Sequence, residues 1–340
     1  MLKSRFGRWS KIGLAGLAGV GALALAACGT PAGAGGGAAG GGGGGGVDEE
    51  EIKVALVTHA APGDTFWDTI RSGAENAAER NNVELLYSSD PDGARQAQLV
   101  QQAVDQGVDG IVVTLAKSDA MAGEVQKAVD AGIPVFSINA GEEAYKDLGV
   151  LAHFGQNEFI AGQAAGEQFN DAGLKKAVCV IQEQGHVGLE ARCEGLADTF
   201  EGTSEVLYVQ GTDMTNVAST ITSKLQTNSD IDAVLTLGAP FAMTAMDSIA
   251  DAGSSATLAT TDLNADVYTA IKDGTILFGI DQQPFVQGYS AVEAVRLYTE
   301  GGYVLGGGQA VLTGPTVVNA ENADSVSAQF EGSGDDESAE

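Results

Sequence analysis

Positive charge is scarce in this 340-residue chain: 17 Lys and Arg stand against 46 Asp and Glu, for a formal net charge of −29. Phosphate backbones are held by clustered cations, and the longest basic run here is Lys175-Lys176, so nucleic acid is excluded as a partner. The acidic excess reads as a solvated surface. Apolar runs are short as well. The one extended stretch, residues 12–27, is rich in Gly and Ala and falls below the about 20 residues a membrane-spanning helix needs. Cysteine is limited to three residues with no CxxC spacing, which removes the usual zinc and dithiol signatures. Catalytic motifs are missing too. No GxGxxG follows the first apolar strand, and no GxxxxGK[ST], GxSxG or HExxH occurs. The expectation is a protein that is not an enzyme, with no cofactor and no metal.

What is present begins with a sorting signal. Lys3, Arg5, Arg8 and Lys11 form a positive n-region ahead of the apolar stretch, which ends in Leu25-Ala26-Ala27-Cys28. That ending resembles the bacterial lipobox, in which the cysteine sulfur takes a lipid and the signal is cut just before it. The resemblance implies a signal peptide over 1–27, lipidation at Cys28, and an extracytoplasmic protein anchored to the cell membrane. Residues 29–46 are almost wholly Gly and Ala, so 28–50 reads as a flexible tether of roughly 25 Å root-mean-square reach. The segment 327–340 reads as an acidic, disordered tail. With Cys28 assigned to lipid, Cys179 and Cys193 remain as an even pair in an oxidising compartment. They form either a disulfide or two free thiols.

From Glu51 onward, apolar β-branched runs alternate with helical patterns. Strands are expected at 52–59, 83–88, 110–114, 134–138, 176–182, 205–210, 233–237, 257–261 and 276–280. Helices are expected at 66–80, 94–106, 118–131, 157–172, 215–226, 240–252 and 264–273. Gly107, Gly132, Gly253 and Gly274 stand where left-handed helix caps belong. Regular alternation with continuously apolar strands predicts α/β architecture: two doubly wound parallel-sheet lobes, each covered by helices. Ligands of such sheets bind outside the carboxyl ends of the strands. The residues there are His59 to Trp67, Asn139, Gln184 to Arg192, Gly238 to Pro240, Asp262 and Asp281-Gln282. Polar groups with two adjacent aromatics suit a hydroxylated small molecule.

At these positions the chain resembles the ribose/galactose-type periplasmic sugar-binding proteins of ABC importers. The likeness runs through TFWDTIRSGAENAAER, DGIVVTLAKSDAMAGEVQKAVDAGIPVFSIN, GQNEFIAGQAAGEQF, ARCEGLADTF and TTDLNADVYTAIKDGTILFGIDQQPFVQGYSAVEAV. It implies the type I periplasmic-binding-protein fold, with three hinge crossings near 152–156, 281–284 and 306–312. The N-terminal lobe would comprise 51–154 plus 283–308, and the C-terminal lobe 155–282 plus 309–326. It implies a monomer that captures a sugar or polyol by hinge closure and delivers it to a permease with a separate ATPase subunit. Carried onto this sequence, the resemblance makes Phe66 and Trp67 the aromatic pair that packs on a sugar ring. Arg192 becomes the gripping arginine, Asp262 a hydroxyl acceptor, and Gln282 a hinge-side contact. His59, Asp64, Asn139 and Met214 are further ligand contacts.

Departures from the ribose pattern bear on the ligand. Asn139-Ala140 replaces an Asp-Arg pair, Gly238-Ala239-Pro240 replaces an Asn-Asp, and Met214 stands where an aromatic is common. These changes imply fewer charged contacts and a wider pocket floor. A hexose, another pentose, an inositol or a sugar alcohol all remain open. So does the alternative of a nucleoside, an autoinducer-like furanose or an aromatic ligand, or of a sensor feeding a signalling receptor.

Overall fold

A computed structural model describes residues 50–61 and 64–329. The signal peptide, Cys28 and most of the tether lie outside the described residues, as does the tail beyond Gln329. The elements run in order β1 (Ile52–Thr58), α1 (Thr65–Arg80), β2 (Val83–Ser89), α2 (Gly93–Gln106), β3 (Gly110–Thr114), α3 (Ser118–Asp130), β4 (Val135–Ile138) and β5 (His153–Gln156). They continue with α4 (Glu158–Asp171), β6 (Lys176–Ile181), α5 (Val187–Thr199), β7 (Thr203–Tyr208), α6 (Met214–Thr227), β8 (Ala233–Thr236), α7 (Ala239–Asp251), β9 (Thr257–Thr261), α8 (Ala265–Lys272) and β10 (Ile276–Asp281). Last come α9 (Pro284–Gly301), β11 (Val311–Gly314) and β12 (Thr316–Asn319).

Two six-stranded sheets result, ordered β2-β1-β3-β4-β5-β11 and β7-β6-β8-β9-β10-β12. All pairs are parallel except β10–β12. Burial follows position. Central strands such as β3 (GIVVT) are buried throughout, whereas the edge strands β2 and β7 alternate with solvent. Each sheet is sandwiched between two apolar layers. In the first lobe, α1 and α9 cover one face with Ile70, Ala74 and Val295, and α2 and α3 cover the other with Val100 and Val125. In the second, α4 and α5 bring Ala161 and Leu196, and α6 to α8 bring Ile221, Ala242 and Val267. Gly107, Gly132, Gly253 and Gly274 all have positive φ, as helix-ending glycines should.

Two helix pairs approach unusually closely, and glycine is the reason. A Cβ on Gly73 of α1 would meet the Phe285 carbonyl of α9 at 2.0 Å, and one on Gly288 would meet Ile70 O at 2.0 Å. The second lobe repeats the device, with Gly162 against Arg192 O and Gly195 against Phe159 O, each at 2.0 Å. Side chains at those positions would push α5 off α4 and carry Arg192 with it.

The chain crosses between sheets after β5, after β10, and between β11 and β12. The third crossing therefore falls at Pro315, later than the expected 306–312. Residues 309–314 stay with the first sheet, because β11 pairs with β5 and only β12 joins the second. The expected tail also starts too early. Ala323–Gln329 is a 3-10 helix, and Gln329 Nε2 donates to Asp281 Oδ2 at 3.2 Å. Cys179 of β6 and Cys193 of α5 are joined in a disulfide, with Cα atoms 5.8 Å apart.

Candidate ligand-binding cleft

The carboxyl ends of both sheets face one cavity of about 750 Å³. Its wall includes all nine side chains picked out from the sequence: His59, Asp64, Phe66, Trp67, Asn139, Arg192, Met214, Asp262 and Gln282. Their chemistry differs in several places from the expected one.

Arg192, on the buried face of α5, is 3% exposed, and its donors are largely spent inside the protein. Nε and Nη2 donate to the two carboxylate oxygens of Glu158, the latter at 3.1 Å, and Nη1 donates to Thr261 Oγ1 at 2.7 Å. Of five N–H groups, one on each terminal nitrogen remains for a ligand. Burial works to lower the Arg192 pKa, but Glu158 and Asp262 outweigh it and hold it above its ordinary value. Asp262 Oδ2 lies 3.8 Å from Arg192 Nη1. Burial pushes the Asp262 carboxyl up to about 7, against the pull of Arg192.

The two sheets present matched residues at their fourth strands. Asn139 follows β4 and Asp262 follows β9, with φ of 64° and 63°, a left-handed turn that Asn and Asp tolerate better than other side chains. Gln282 joins them. Its Oε1 accepts from Asn139 Nδ2 at 3.0 Å and from Gln287 Nε2 at 2.9 Å, while its Nε2 donates to Asp262 Oδ1. Gln282 thus acts as a strut at the hinge, with its amide committed to protein rather than presented to a ligand.

Asp64 caps α1, accepting from Phe66 N–H at 3.1 Å, and burial raises its pKa. Phe66 and Trp67 meet edge to face at 5.2 Å, and Trp67, 6% exposed, also packs into the first lobe's core. Met214 opens α6 at the rim of the cavity and is exposed. The anticipated wide floor is filled instead. Phe241 lines the cavity beside Gly238, where a Cβ would stand 3.0 Å from its ring. Nor is charge depleted, since Lys117 and Glu183 join Asp64, Arg192 and Asp262 on the wall. Lys117 escaped the sequence reading because it lies three residues beyond β3, and Phe241 because it lies one beyond the Gly-Ala-Pro turn.

Several contacts cross the cleft. Lys117 Nζ stands 2.7 Å from Glu183 Oε1, His59 Nε2 stands 3.0 Å from His186 Nε2, and Val187 N–H donates to Ala116 O at 3.1 Å. The lobes are therefore closed on one another. Among the described residues, one group of metal-ligand type, His59, Glu183 and His186, brings its atoms within 4.8 Å. His186 Nδ1 already accepts from Gly188 and Leu189 N–H at the start of α5, so the neutral ring carries its proton on Nε2, the atom an ion would need. Lys117 also balances Glu183. The group is a hydrogen-bonded set rather than an ion seat.

Residues 54–302 match the family model of the periplasmic binding protein domain. The chain belongs to the periplasmic-binding-protein family. A solved carbohydrate transporter from Acidothermus cellulolyticus, in complex with myo-inositol, is 47% identical to this periplasmic binding protein, with a TM-score of 0.82 over 83% of this chain and 99% of that one. The ribose import binding protein of Bacillus subtilis is 25% identical over 67% of this chain and 76% of its own. The xylose/arabinose-binding protein of Sulfolobus acidocaldarius is 25% identical over 72% of this chain, an alignment spanning 66% of that relative.

Proposed function

We propose that this periplasmic binding protein is the extracytoplasmic capture component of an ABC importer, and that its ligand is a cyclic polyol of the inositol class. The observation that carries the reading is the 47% identity, over 83% of the chain, to a protein whose structure holds myo-inositol. The cleft's chemistry supports it. About 750 Å³ suits a small ligand, aromatic faces at Phe66, Trp67 and Phe241 can cover the C–H surface of a ring, and Asp262 and the two spare Arg192 donors can divide its hydroxyls. A hydroxyl both gives and receives hydrogen bonds, so it fits an acceptor and a donor side by side. Nothing in this reading requires a catalytic step, a cofactor or a metal. The lipid anchor at Cys28, the monomeric state and delivery to a permease with its own ATPase belong to the same proposal. A thermal-shift screen of myo-inositol, ribose, xylose, galactose, xylitol and adenosine tests it. Ligand at 100 times its dissociation constant adds about 2.7 kcal/mol. Stabilisation by myo-inositol above the aldoses is the expected result, and a shift with adenosine alone would overturn it.

A further inference from the structure

Of the side-chain pairs that cross the cleft, the two imidazoles are held by hydrogen bonds that restrict where their protons can sit. His186 Nδ1 receives two backbone N–H groups at 3.1 and 3.3 Å, so its single proton sits on Nε2. That N–H points at His59 Nε2, 3.0 Å away, which must accept with its lone pair. The His186 cap therefore puts the His59 proton on Nδ1, 2.7 Å from Thr114 Oγ1, an oxygen that already accepts from His59 N–H and Gln96 Nε2.

A further proton has no acceptable place while the cleft is closed. On His59 Nε2 it would oppose the His186 N–H head-on, and on His186 Nδ1 it would oppose the α5 backbone donors. The charged surroundings add to this. Lys117 acts on both rings and Arg192 on His186, while Glu183, Glu158, Asp64 and Asp262 are the nearby carboxylates. Burial first, and then Lys117, lowers the His59 pKa to about 3. The cap on His186 is internal to its lobe and survives opening, whereas the His59 contact does not.

We propose that closure of the cleft is coupled to loss of a proton from His59, so that acidification opens the lobes and releases ligand. The sign follows from the closed form, which binds one proton fewer than the open form. An open His59 titrates near 6.5, so each pH unit below that weakens binding about tenfold until the closed form itself titrates. Asp262 pulls the other way, since its raised pKa makes the closed form bind a proton more readily. The His59 contribution is therefore read as a difference between proteins rather than from one profile.

The coupling rests on the cleft being the ligand site, and two measurements on the full chain in detergent keep the claims apart. Calorimetry with myo-inositol at pH 7.5 and 5.5 gives the ratio of dissociation constants. That ratio should be about tenfold larger for the wild type than for His59→Gln. His186→Asn keeps a cap acceptor but removes the opposing N–H, and should flatten the profile by less than His59→Gln does, since the burial of His59 remains. Equal ratios in wild type and both variants would overturn the coupling, as would a ratio that changes on adding zinc or a chelator. If myo-inositol binds at neither pH, the ligand proposal fails but the coupling is still tested by small-angle scattering without ligand. The wild-type radius of gyration should rise from pH 7.5 to 5.5 and that of His59→Gln should not. An unchanged wild-type radius overturns it.

Discussion

Removing the Arg192 guanidinium should unfold more than a binding site. Arg192 is 3% exposed and its partner Glu158 is 8% exposed, so Arg192→Met leaves a buried carboxylate without its cation. Breaking a buried pair from one side costs about 3–5 kcal/mol, because the remaining charge is desolvated and uncompensated. Asp262, 3.8 Å from Nη1, loses the same counter-charge and should titrate still higher. Changing both partners removes the stranded charge, so Arg192→Met with Glu158→Gln should recover most of the lost stability. It should not recover ligand binding, because the two spare donors on the guanidinium are gone. Urea unfolding of wild type, both single variants and the double variant gives the coupling energy, and calorimetry on the same four proteins gives affinity. A double variant as unstable as Arg192→Met, or an Arg192→Met as stable as the wild type, would refute the idea that the pair's burial makes it costly to break.

The remaining expectations concern packing, titration, the disulfide and the anchor. Gly195→Ala should cost about 1–3 kcal/mol by overpacking, since its Cβ would meet Phe159 O at 2.0 Å, and it should weaken binding by displacing Arg192. Unchanged urea midpoint and affinity would contradict this. Asp262 has a folded pKa of about 7 against an ordinary 3.8, so the folded state gains a proton relative to the unfolded one. Its contribution therefore falls as pH rises from about 4 through 7. Asp262→Asn should remove that component from a stability profile over the same range. Reduction of Cys179–Cys193, which closes a 14-residue separation, should lower stability by about 3 kcal/mol, measured by urea unfolding with and without reductant. Cys28→Ser should move the protein from the membrane to the soluble fraction, and a variant that stays with membranes would contradict the lipid anchor.

Sheet architecture and cavity composition were both readable from residue pattern, because buried parallel strands leave long apolar runs and their carboxyl ends are easy to locate. The elements that escaped share a physical reason. Helices α5 and α9 carry Gly195 and Gly288 in their interiors, residues that weaken a helical pattern but are needed where helix backbones nearly touch. Strands β5, β11 and β12 are four residues each, and β5 reads His-Phe-Gly-Gln, too short and polar to register. Their pairing partners lie far away in sequence, so β11 could not be given to the first sheet, nor the crossing moved to Pro315, without three-dimensional contacts. Site chemistry was hidden for a similar reason. An arginine in the helix that follows β6 looks free in sequence, and its commitment to Glu158 depends on α4 lying against α5.

The most direct test of the account is a crystal structure of the protein with myo-inositol. It should show the ring in the cavity between the two sheets, with a face against Phe66 or Trp67 and hydroxyls within hydrogen-bond distance of Asp262 and Arg192. A ring bound elsewhere, or bound in the cleft without touching Asp262 and Arg192, would contradict the account.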